Sequence, residues 1–241
     1  MNLKEILSDS FRYPLSNPKR LFILGVLLFF SFLVIPTIFT NGYMLRIMKY
    51  SFEGSKELPP FNEWLNMFVD GLKVIIVNVI YTFIPAIITA VITIAIVMSM
   101  LFNGVGPDYY VFYNTFLKVL LVVGIIVITV PYIFSLMALP HIVRKDKLDV
   151  LLELRNLLNI IRGIGWSKFI SAVVLLVVLN IPFVGLGFYL QFLRLGTLEI
   201  LLISAALNLV IGWYLLAFKG RLLALLYEEG EEQLQLSNME R

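Results

Sequence analysis

Apolar stretches without a charged side chain recur along the sequence, and short polar stretches separate them. The charge-free stretches follow Arg20, Lys73, Lys118, Lys168 and Glu199, and each holds about 19 to 34 residues. A helix needs roughly 20 residues to cross the ~30 Å apolar core of a bilayer. The pattern therefore predicts five membrane-spanning helices, over residues 21–40, 74–102, 119–139, 169–192 and 200–218.

Four of these stretches contain a proline, which removes a backbone donor and kinks or ends a helix. They are Pro36, Pro85, Pro131 and Pro182. The stretch at 74–102 is longer than a straight span requires, so we predict a tilted helix or a break near Pro85. The third span is predicted to stop at Pro140.

Two polar interruptions have the period of an amphipathic helix. In the first, residues 60–71, Pro60 suits the first helical position because its missing N–H is no loss there. Apolar residues follow at helical spacing and lead directly into the second span. They are Phe61, Trp64, Leu65, Phe68 and Leu72.

The second interruption predicts an amphipathic helix over residues 147–162, which Gly163 and Gly165 end. Its apolar residues share one arc of the helical wheel. They are Val150, Leu151, Leu154, Leu157, Leu158 and Ile161. Polar residues fill the opposite side: Asp149, Glu153, Arg155, Asn156, Asn159 and Arg162.

The two ends of the chain are polar. Residues 1–20 form a short amphipathic lead, in which Asn17 and Pro18 have the pattern of a helix cap and a first helical residue. This lead either lies on the membrane surface or packs against the protein. Residues 228–241 form an acidic polar tail that we expect to fray. Residues 21–227 between them are predicted to form a single transmembrane domain.

The predicted fold is all-α: a polytopic transmembrane helical bundle of about five spans with two amphipathic interfacial helices. The order of span, amphipathic helix and long span occurs near residues 21–102 and again near 119–192, which suggests a weak two-fold internal repeat. Composition agrees, since 60% of the residues are hydrophobic and the mean hydropathy is +0.92. These values exclude an ordinary soluble protein.

Charge indicates the partners and the orientation. The net charge is only +3, and the basic residues lie at span ends, so we expect no nucleic-acid partner. Five spans put both amphipathic helices and the C-terminus on the side with most of the 19 basic residues. The positive-inside rule assigns that side to the cytoplasm of a cell-membrane protein, which leaves the N-terminus outside. If the first apolar stretch formed only a re-entrant hairpin, the N-terminus would return inside.

Four motifs follow one another in the first third of the chain: Arg12-Tyr13-Pro14, Gly42-Tyr43-x-x-Arg46, Glu57-Leu58-Pro59 and Trp64…Phe68-x-Asp70-Gly71-x-Lys73. In this order they resemble the motifs of a prokaryotic and often archaeal family of multi-pass membrane proteins. The family is catalogued only as a domain of unknown function. The resemblance implies a membrane location and brings no catalytic residues. The layout is also similar to the membrane domain attached to some glycerophosphodiester phosphodiesterases.

Catalysis needs convergent acid, base, nucleophile or metal-binding groups, and the sequence offers few. His141 is the single histidine and stands beside Pro140 at a span end without visible partners. Cysteine is absent, which excludes disulfides and thiolate chemistry. We therefore predict a protein that is not an enzyme and has no catalytic, cofactor-binding or metal-binding residues.

Polar residues inside the spans are few. Asn78, Tyr81 and Asn180 could line a path for a neutral or amphiphilic solute, or they could be hydrogen-bond partners between helices. Ser204, Asn208 and Gly212 recur every four residues and predict a stripe for close helix packing.

The function favoured by the sequence is contact with lipid headgroups or a membrane partner through the amphipathic helices and their basic flanks. That partner would be another membrane protein or a second copy of this one. Simple packing of these helices onto the bundle and a transporter or permease are the alternatives. The candidate contact residues are Trp64, Phe68, Arg144, Lys145, Lys147, Leu154 and Leu158.

Overall fold

The computed structural model describes residues 2–103, 109–148, 153–193 and 195–240. These residues are almost entirely helical and include no strand, which confirms the all-α prediction. The chain divides into two units. One unit combines Met1–Ile75 with Met137–Arg241, and the other is Ile76–Leu136.

The N-terminal lead is a folded part of the first unit. Helix α1 (Leu3–Arg12) continues into a 3₁₀ turn (Tyr13–Ser16), and Ile6, Ser10 and Tyr13 are buried. Asn17 then caps helix α2 by accepting a hydrogen bond from the Arg20 backbone N–H at 3.2 Å. Pro18 is the first residue of α2, which confirms the predicted cap and helix start.

The first apolar stretch folds back on itself, so the predicted span over residues 21–40 is wrong. Helix α2 (Pro18–Phe29) ends at a turn, and helix α3 (Val34–Phe52) begins after it. The Arg20 side chain on α2 donates to the Leu58 carbonyl, and the Tyr43 hydroxyl on α3 donates to the neighbouring Pro59 carbonyl at 2.8 Å. The start of α2 and the second half of α3 therefore meet the same segment, as in a hairpin.

The turn of this hairpin explains why the helix does not continue. Thr37 bridges it, since its hydroxyl donates to the Ser31 and Leu33 carbonyls. Pro36 lies in the first turn of α3, where a missing backbone N–H costs no hydrogen bond. The proline thus begins a helix here instead of kinking one.

Helix α4 (Trp64–Asn78) begins four residues later than the predicted helix at 60–71. The Arg46 side chain occupies the carbonyls of Pro60, Asn62 and Glu63, which a longer helix would need for its own first turn. Glu63 also has a φ of 49°, in the left-handed region, which is incompatible with a helical residue.

Helices α3 and α4 cross at two glycines. A Cβ atom on Gly42 would lie 1.7 Å from the Met67 carbonyl oxygen, and one on Gly71 would lie 1.9 Å from the Ile38 carbonyl oxygen. Only residues without a side chain allow this approach of the two backbones.

In the second unit, the helix that begins as α4 passes through a π-helical segment (Val79–Phe83) into α5 (Ile84–Asn103). This irregular turn precedes Pro85, where the sequence predicted a break. Helix α6 (Tyr109–Lys145) runs through Pro131 and Pro140, so the prediction that the third span stops at Pro140 is wrong. A proline inside a membrane helix is tolerated when neighbouring groups compensate for the lost bond.

The remaining helices belong to the first unit. They are α7 (Leu154–Ile164), α8 (Trp166–Phe192), α9 (Thr197–Leu207), a π-helical segment (Asn208–Gly212) and α10 (Trp213–Met239). Gly165, with a φ of 89°, ends α7 as predicted, whereas Gly163, which was also predicted to end it, lies inside the helix. The tail that we expected to fray is helical as far as Met239, and Glu229 and Gly230 within it are buried.

Helix α7 packs on α10 with a stripe that differs from the predicted one. The buried residues are Leu157, Ile160, Ile161 and Ile164, whereas Leu154 is 46% exposed. The helix begins only at Leu154, which moves its apolar face towards its C-terminal end, and residues 149–152 lie outside the described residues. A Cβ atom on Gly163 would lie 2.4 Å from the Gly230 carbonyl oxygen, so a glycine pair sets this crossing as well.

Four helical stretches of the described residues are long and apolar enough to cross a membrane. They are Trp64–Ser99, Lys118–Lys145, Trp166–Gly187 and Thr197–Ser237. The count is one below the predicted five because the first apolar stretch is a hairpin. These helices make the chain a membrane protein; the predicted internal repeat stays a prediction.

Candidate functional site

The segment of residues 57–63 lies between α3 and α4. Side chains from the 3₁₀ turn and from α3 hold it in place. The Tyr13 hydroxyl donates to the Glu57 carbonyl at 3.0 Å, and the Leu58 backbone N–H donates to the Ser16 hydroxyl at 3.0 Å. The Tyr43 ring stacks on Phe61, with ring centroids 4.2 Å apart. We call the side chains that hold this segment, together with Arg221, the motif cluster. They are Tyr13, Ser16, Tyr43, Arg46 and Arg221.

Arg46 is the central polar side chain of the motif cluster. It is 6% exposed, and its guanidinium donates to the Pro60 carbonyl at 3.1 Å and to the Glu63 carbonyl at 3.2 Å. The Asn62 side-chain oxygen, at 3.0 Å, accepts a further bond. A buried guanidinium is stable only when its donors are paired, and here they are. This arginine therefore holds the chain in place.

Arg221 closes the other side of the motif cluster. It lies on α10, is 5% exposed, pairs with Asp9 at 2.7 Å and donates to the Ser55 carbonyl at 2.9 Å. Its guanidinium carbon lies 4.9 Å from the centroid of the Tyr13 ring. Burial raises the pKa of the Tyr13 hydroxyl to about 12, although this guanidinium acts in the opposite direction.

Several cations at the membrane ends of the helices are paired with acids. Arg144, a predicted contact residue, bonds Glu231 on α10 at 2.9 Å, and Lys168 bonds Glu229 at 3.1 Å. The acidic residues near the C-terminus thus have partners on α6 and α8. Lys145 and Lys147 are exposed, and neither forms an ion pair with another described residue.

The predicted apolar contact residues differ in exposure. Trp64 is 44% exposed and its neighbour Leu65 is 75% exposed, at the first turn of α4. Phe68 is partly buried, with its ring 5.6 Å from that of Phe39. Leu158 is half-buried.

Two of the predicted intramembrane polar residues, Asn180 and Asn208, form side-chain hydrogen bonds with described residues. The Asn180 amide donates to the Leu176 carbonyl of its own helix at 2.7 Å. The Asn208 amide lies 3.3 Å from the Ser31 hydroxyl at the hairpin turn. Ser204 is exposed, and Gly212 lies one turn after Asn208. In the other unit, Tyr81 is buried and Asn78 is half-buried.

A polar cleft of about 800 Å³ lies within the first unit, where α6, α7 and α10 meet. The end of α6 and the polar side of α7 form two of its walls, and the last turns of α10 form the third. We call it the α7 cleft. Its charged and aromatic lining residues are His141, Lys145, Arg155, Arg162, Tyr227 and Glu231.

His141 is a buried group in the α7 cleft, at 2% exposure. Its Nδ1 lies 2.7 Å from the Tyr227 hydroxyl. Its Nε2 is buried and has no hydrogen-bond partner among the described residues, since the nearest carboxylate oxygen, on Glu153, is 3.6 Å away. A hydrogen bond from Asn156 lowers the pKa of Glu153, which is therefore a carboxylate at neutral pH.

Positive charge exceeds negative charge around the α7 cleft. Lys145, Arg155 and Arg162 are exposed and form no ion pair with the described part of the chain. The one acidic lining residue, Glu231, already has Arg144 as its partner. The cleft thus combines free cationic donors with a buried ring nitrogen that lacks a partner.

Lys145 was predicted from the sequence as a contact residue. The other charged or aromatic residues of the cleft, His141, Arg155, Arg162 and Tyr227, were not predicted as site residues. Tyr227 is 86 residues away from His141 along the chain, and no local pattern connects them. The available signal was Arg155, Asn159 and Arg162, which recur at helical spacing on the side of α7 opposite its buried stripe.

The model of a family described as a protein of unknown function (DUF4013) matches residues 26–195, which is more than half of the chain. This confirms the resemblance drawn from the four motifs. Comparison with curated proteins and with solved structures gives no match.

Proposed function

Because the chain belongs to the DUF4013 family, to which no function is assigned, we propose a function from its own residues. The protein is a non-enzymatic, multi-pass protein of the cell membrane that contacts lipid headgroups from the cytoplasmic side. The observation that carries the proposal is the α2–α3 hairpin. A hairpin does not cross the membrane, so the N-terminus and the segment after α3 lie on the same side.

The distribution of charge supports this orientation. With one hairpin and four spans, both chain ends and both loops that carry amphipathic helices belong to the same side of the membrane. That side then bears every lysine and arginine except Lys118 and Arg194. Such an asymmetry is typical of the cytoplasmic side. The five-span alternative would leave four basic N-terminal residues outside.

Exposed apolar residues support contact with lipid in preference to a purely aqueous surface. Trp64, Leu65 and Val69 stand exposed at the start of one span, and Trp166 stands exposed at the start of another. Tryptophan at a span end prefers the headgroup region, because its ring is apolar and its N–H is polar.

Labelling of single cysteines tests the orientation, and the natural absence of cysteine removes any background. We expect cysteines at Ser8, Glu53 and Ser237 to react from the cytoplasmic side, and one at Asn103 to react from the other side. Ser8 decides between the hairpin and a full first span. Reaction of Ser8 together with Asn103 would contradict the proposal.

Fluorescence quenching tests the lipid contact. The variant W166F/W213F keeps Trp64 as the sole tryptophan, and W64F/W166F keeps Trp213 as a comparison. In nanodiscs we expect lipids brominated near the headgroup to quench Trp64 more strongly than lipids brominated at the chain end. Quenching of Trp64 by an aqueous quencher, without quenching by either brominated lipid, would indicate that Trp64 faces water or a protein partner.

Transport of a neutral or amphiphilic solute is a second candidate, because two spans contain π-helical segments, Val79–Phe83 and Asn208–Gly212. Such segments are frequent at functional sites. Proteoliposome flux that disappears in both N78L and N180L would favour transport. Absence of flux for a broad panel of solutes would leave the headgroup-contact proposal alone.

A further inference from the structure

We propose that the α7 cleft is a binding site for a phosphate-bearing ligand. The ligand is a phosphate monoester, presented either by a lipid headgroup or by a soluble compound. The proposal rests on the residues that line the cleft, and it does not depend on which side of the membrane the cleft faces or on the environment of Trp64.

The side of α7 that faces the cleft has the donors that such a ligand requires. Arg155, Asn159 and Arg162 recur at intervals of four and three residues, so they align along one side of the helix. A guanidinium can donate two parallel hydrogen bonds to phosphate oxygens, which makes arginine the usual residue for phosphate recognition. Neither guanidinium is occupied by a described carboxylate.

Lys145 adds a third cation from a different helix. It is the last residue of α6 and stands at the end of a membrane span. A phosphate monoester carries close to two negative charges at neutral pH, as does a phosphorylated side chain, whereas a carboxylate carries one. Three unpaired cations around one cleft therefore fit a phosphate better than a carboxylate.

His141 supplies the observation that separates a ligand site from a basic surface. When the Tyr227 hydroxyl donates to Nδ1, the proton of the neutral ring is on Nε2. This buried N–H forms no hydrogen bond with the described residues, since the Glu153 carboxylate oxygen lies 3.6 Å away. A buried polar group without a partner destabilises a protein, and most such groups are satisfied by protein, water or ligand. A phosphate oxygen in the cleft would accept this hydrogen bond.

The size of the α7 cleft sets the kind of ligand. About 800 Å³ is far more than an inorganic phosphate fills and lies within the usual range for small-molecule sites. The remaining lining, with Asn156, Asn159 and Gln233, is polar. It suits a hydroxyl-bearing group such as glycerol or a sugar attached to the phosphate.

The single histidine makes the site directly observable. In tag-free protein labelled with ¹⁵N only in histidine, the two imidazole nitrogens of His141 give signals that no other residue contributes. One arm titrates glycerol 3-phosphate into the full-length protein in a phosphate-free maltoside detergent. The other arm compares phosphatidylcholine nanodiscs with and without phosphatidic acid.

We expect a saturable shift of the Nε2 signal in at least one arm. A response to glycerol 3-phosphate identifies a soluble ligand, and a response only to phosphatidic acid identifies a lipid headgroup. No shift in either arm, in protein that is folded by circular dichroism, would overturn the proposal. Because the first arm contains no bilayer lipid, its outcome is separate from the test of Trp64.

Paired variants decide whether the cations of the cleft bind the ligand. We expect R155Q/R162Q to weaken the apparent Kd about tenfold or more, because two charge-assisted contacts are lost. K4Q/K56Q removes the same charge from exposed lysines outside the cleft and is expected to change the Kd less than about twofold. An equal loss of affinity in the two variants would show non-specific attraction and would overturn the site.

Discussion

The motif cluster and the α7 cleft lie in the same unit, and both contain arginines, but these arginines differ in what they contact. In the motif cluster Arg46 is buried and donates to backbone carbonyls, and Arg221 pairs with Asp9. In the α7 cleft Arg155 and Arg162 are exposed and have no ion-pair partner in the part of the chain that the structure describes.

This difference separates residues that hold the fold from residues that are available to a ligand. The motifs that carry the family resemblance are mostly in the first group: their hydroxyl and guanidinium groups are bonded to carbonyls of the chain itself. A polar group that is satisfied within the fold has little left to offer a ligand. The residues of the four motifs thus mainly stabilise the fold, and the α7 cleft is the better candidate for a binding site.

The largest effect is expected at the crossing of α3 and α4. G42A places a Cβ atom 1.7 Å from a backbone oxygen, so the helices must separate, and we expect a loss of about 4 kcal/mol or more, or failure to fold. G124A is the control, because its Cβ would meet no heavy atom within 4 Å. Thermal melting in detergent measures both. A stable G42A protein would contradict the described crossing.

The next effect concerns the buried guanidinium. R46M leaves the carbonyls of residues 60 and 62 without their donor, and we expect a loss of about 3 kcal/mol in stability. K49M removes an exposed cation from the same helix and is expected to change stability by less than about 0.5 kcal/mol. Similar melting temperatures for the two variants would remove the distinction between the motif cluster and an ordinary surface.

Alkaline pH is expected to act on the motif cluster through Tyr13. Its pKa is 10.0 in an unfolded chain and about 12 in the folded protein, mainly because of burial. The protonated Tyr13 hydroxyl therefore makes its full contribution to the free energy of unfolding below pH 10. This contribution, about 3 kcal/mol in total, is lost as the pH rises towards 12. Melting as a function of pH measures this loss. Y13F should flatten the curve over that range; an unchanged slope would contradict the assignment.

The smallest effect is expected in the α7 cleft. R155Q/R162Q breaks no ion pair between described residues, so the stability of the ligand-free protein should change by less than about 0.5 kcal/mol. A loss comparable to that of R46M would mean that these arginines support the fold, and the contrast between the two regions would disappear. Melting without added phosphate makes this measurement.

Local features were predicted well because they depend on a few consecutive residues. The caps at Asn17 and Gly165, the irregular turn before Pro85 and four of the five spans follow from side-chain chemistry within one or two helical turns. The predicted helix at 60–71 began too early because a distant side chain, Arg46, takes the carbonyls of its first turn. The predicted apolar stripe on α7 also differs from the buried one. The spacing of apolar residues does not show where that helix begins.

What the sequence alone determined is the class of the protein: charge-free stretches of sufficient length make it a helical membrane protein, because transfer into a bilayer depends on the summed polarity of consecutive residues. Only the tertiary structure decided that the first apolar stretch is a hairpin, that α10 forms a core for the first unit, and that His141 meets Tyr227. These outcomes depend on contacts between residues far apart in the chain, and hydropathy contains no information about such pairs.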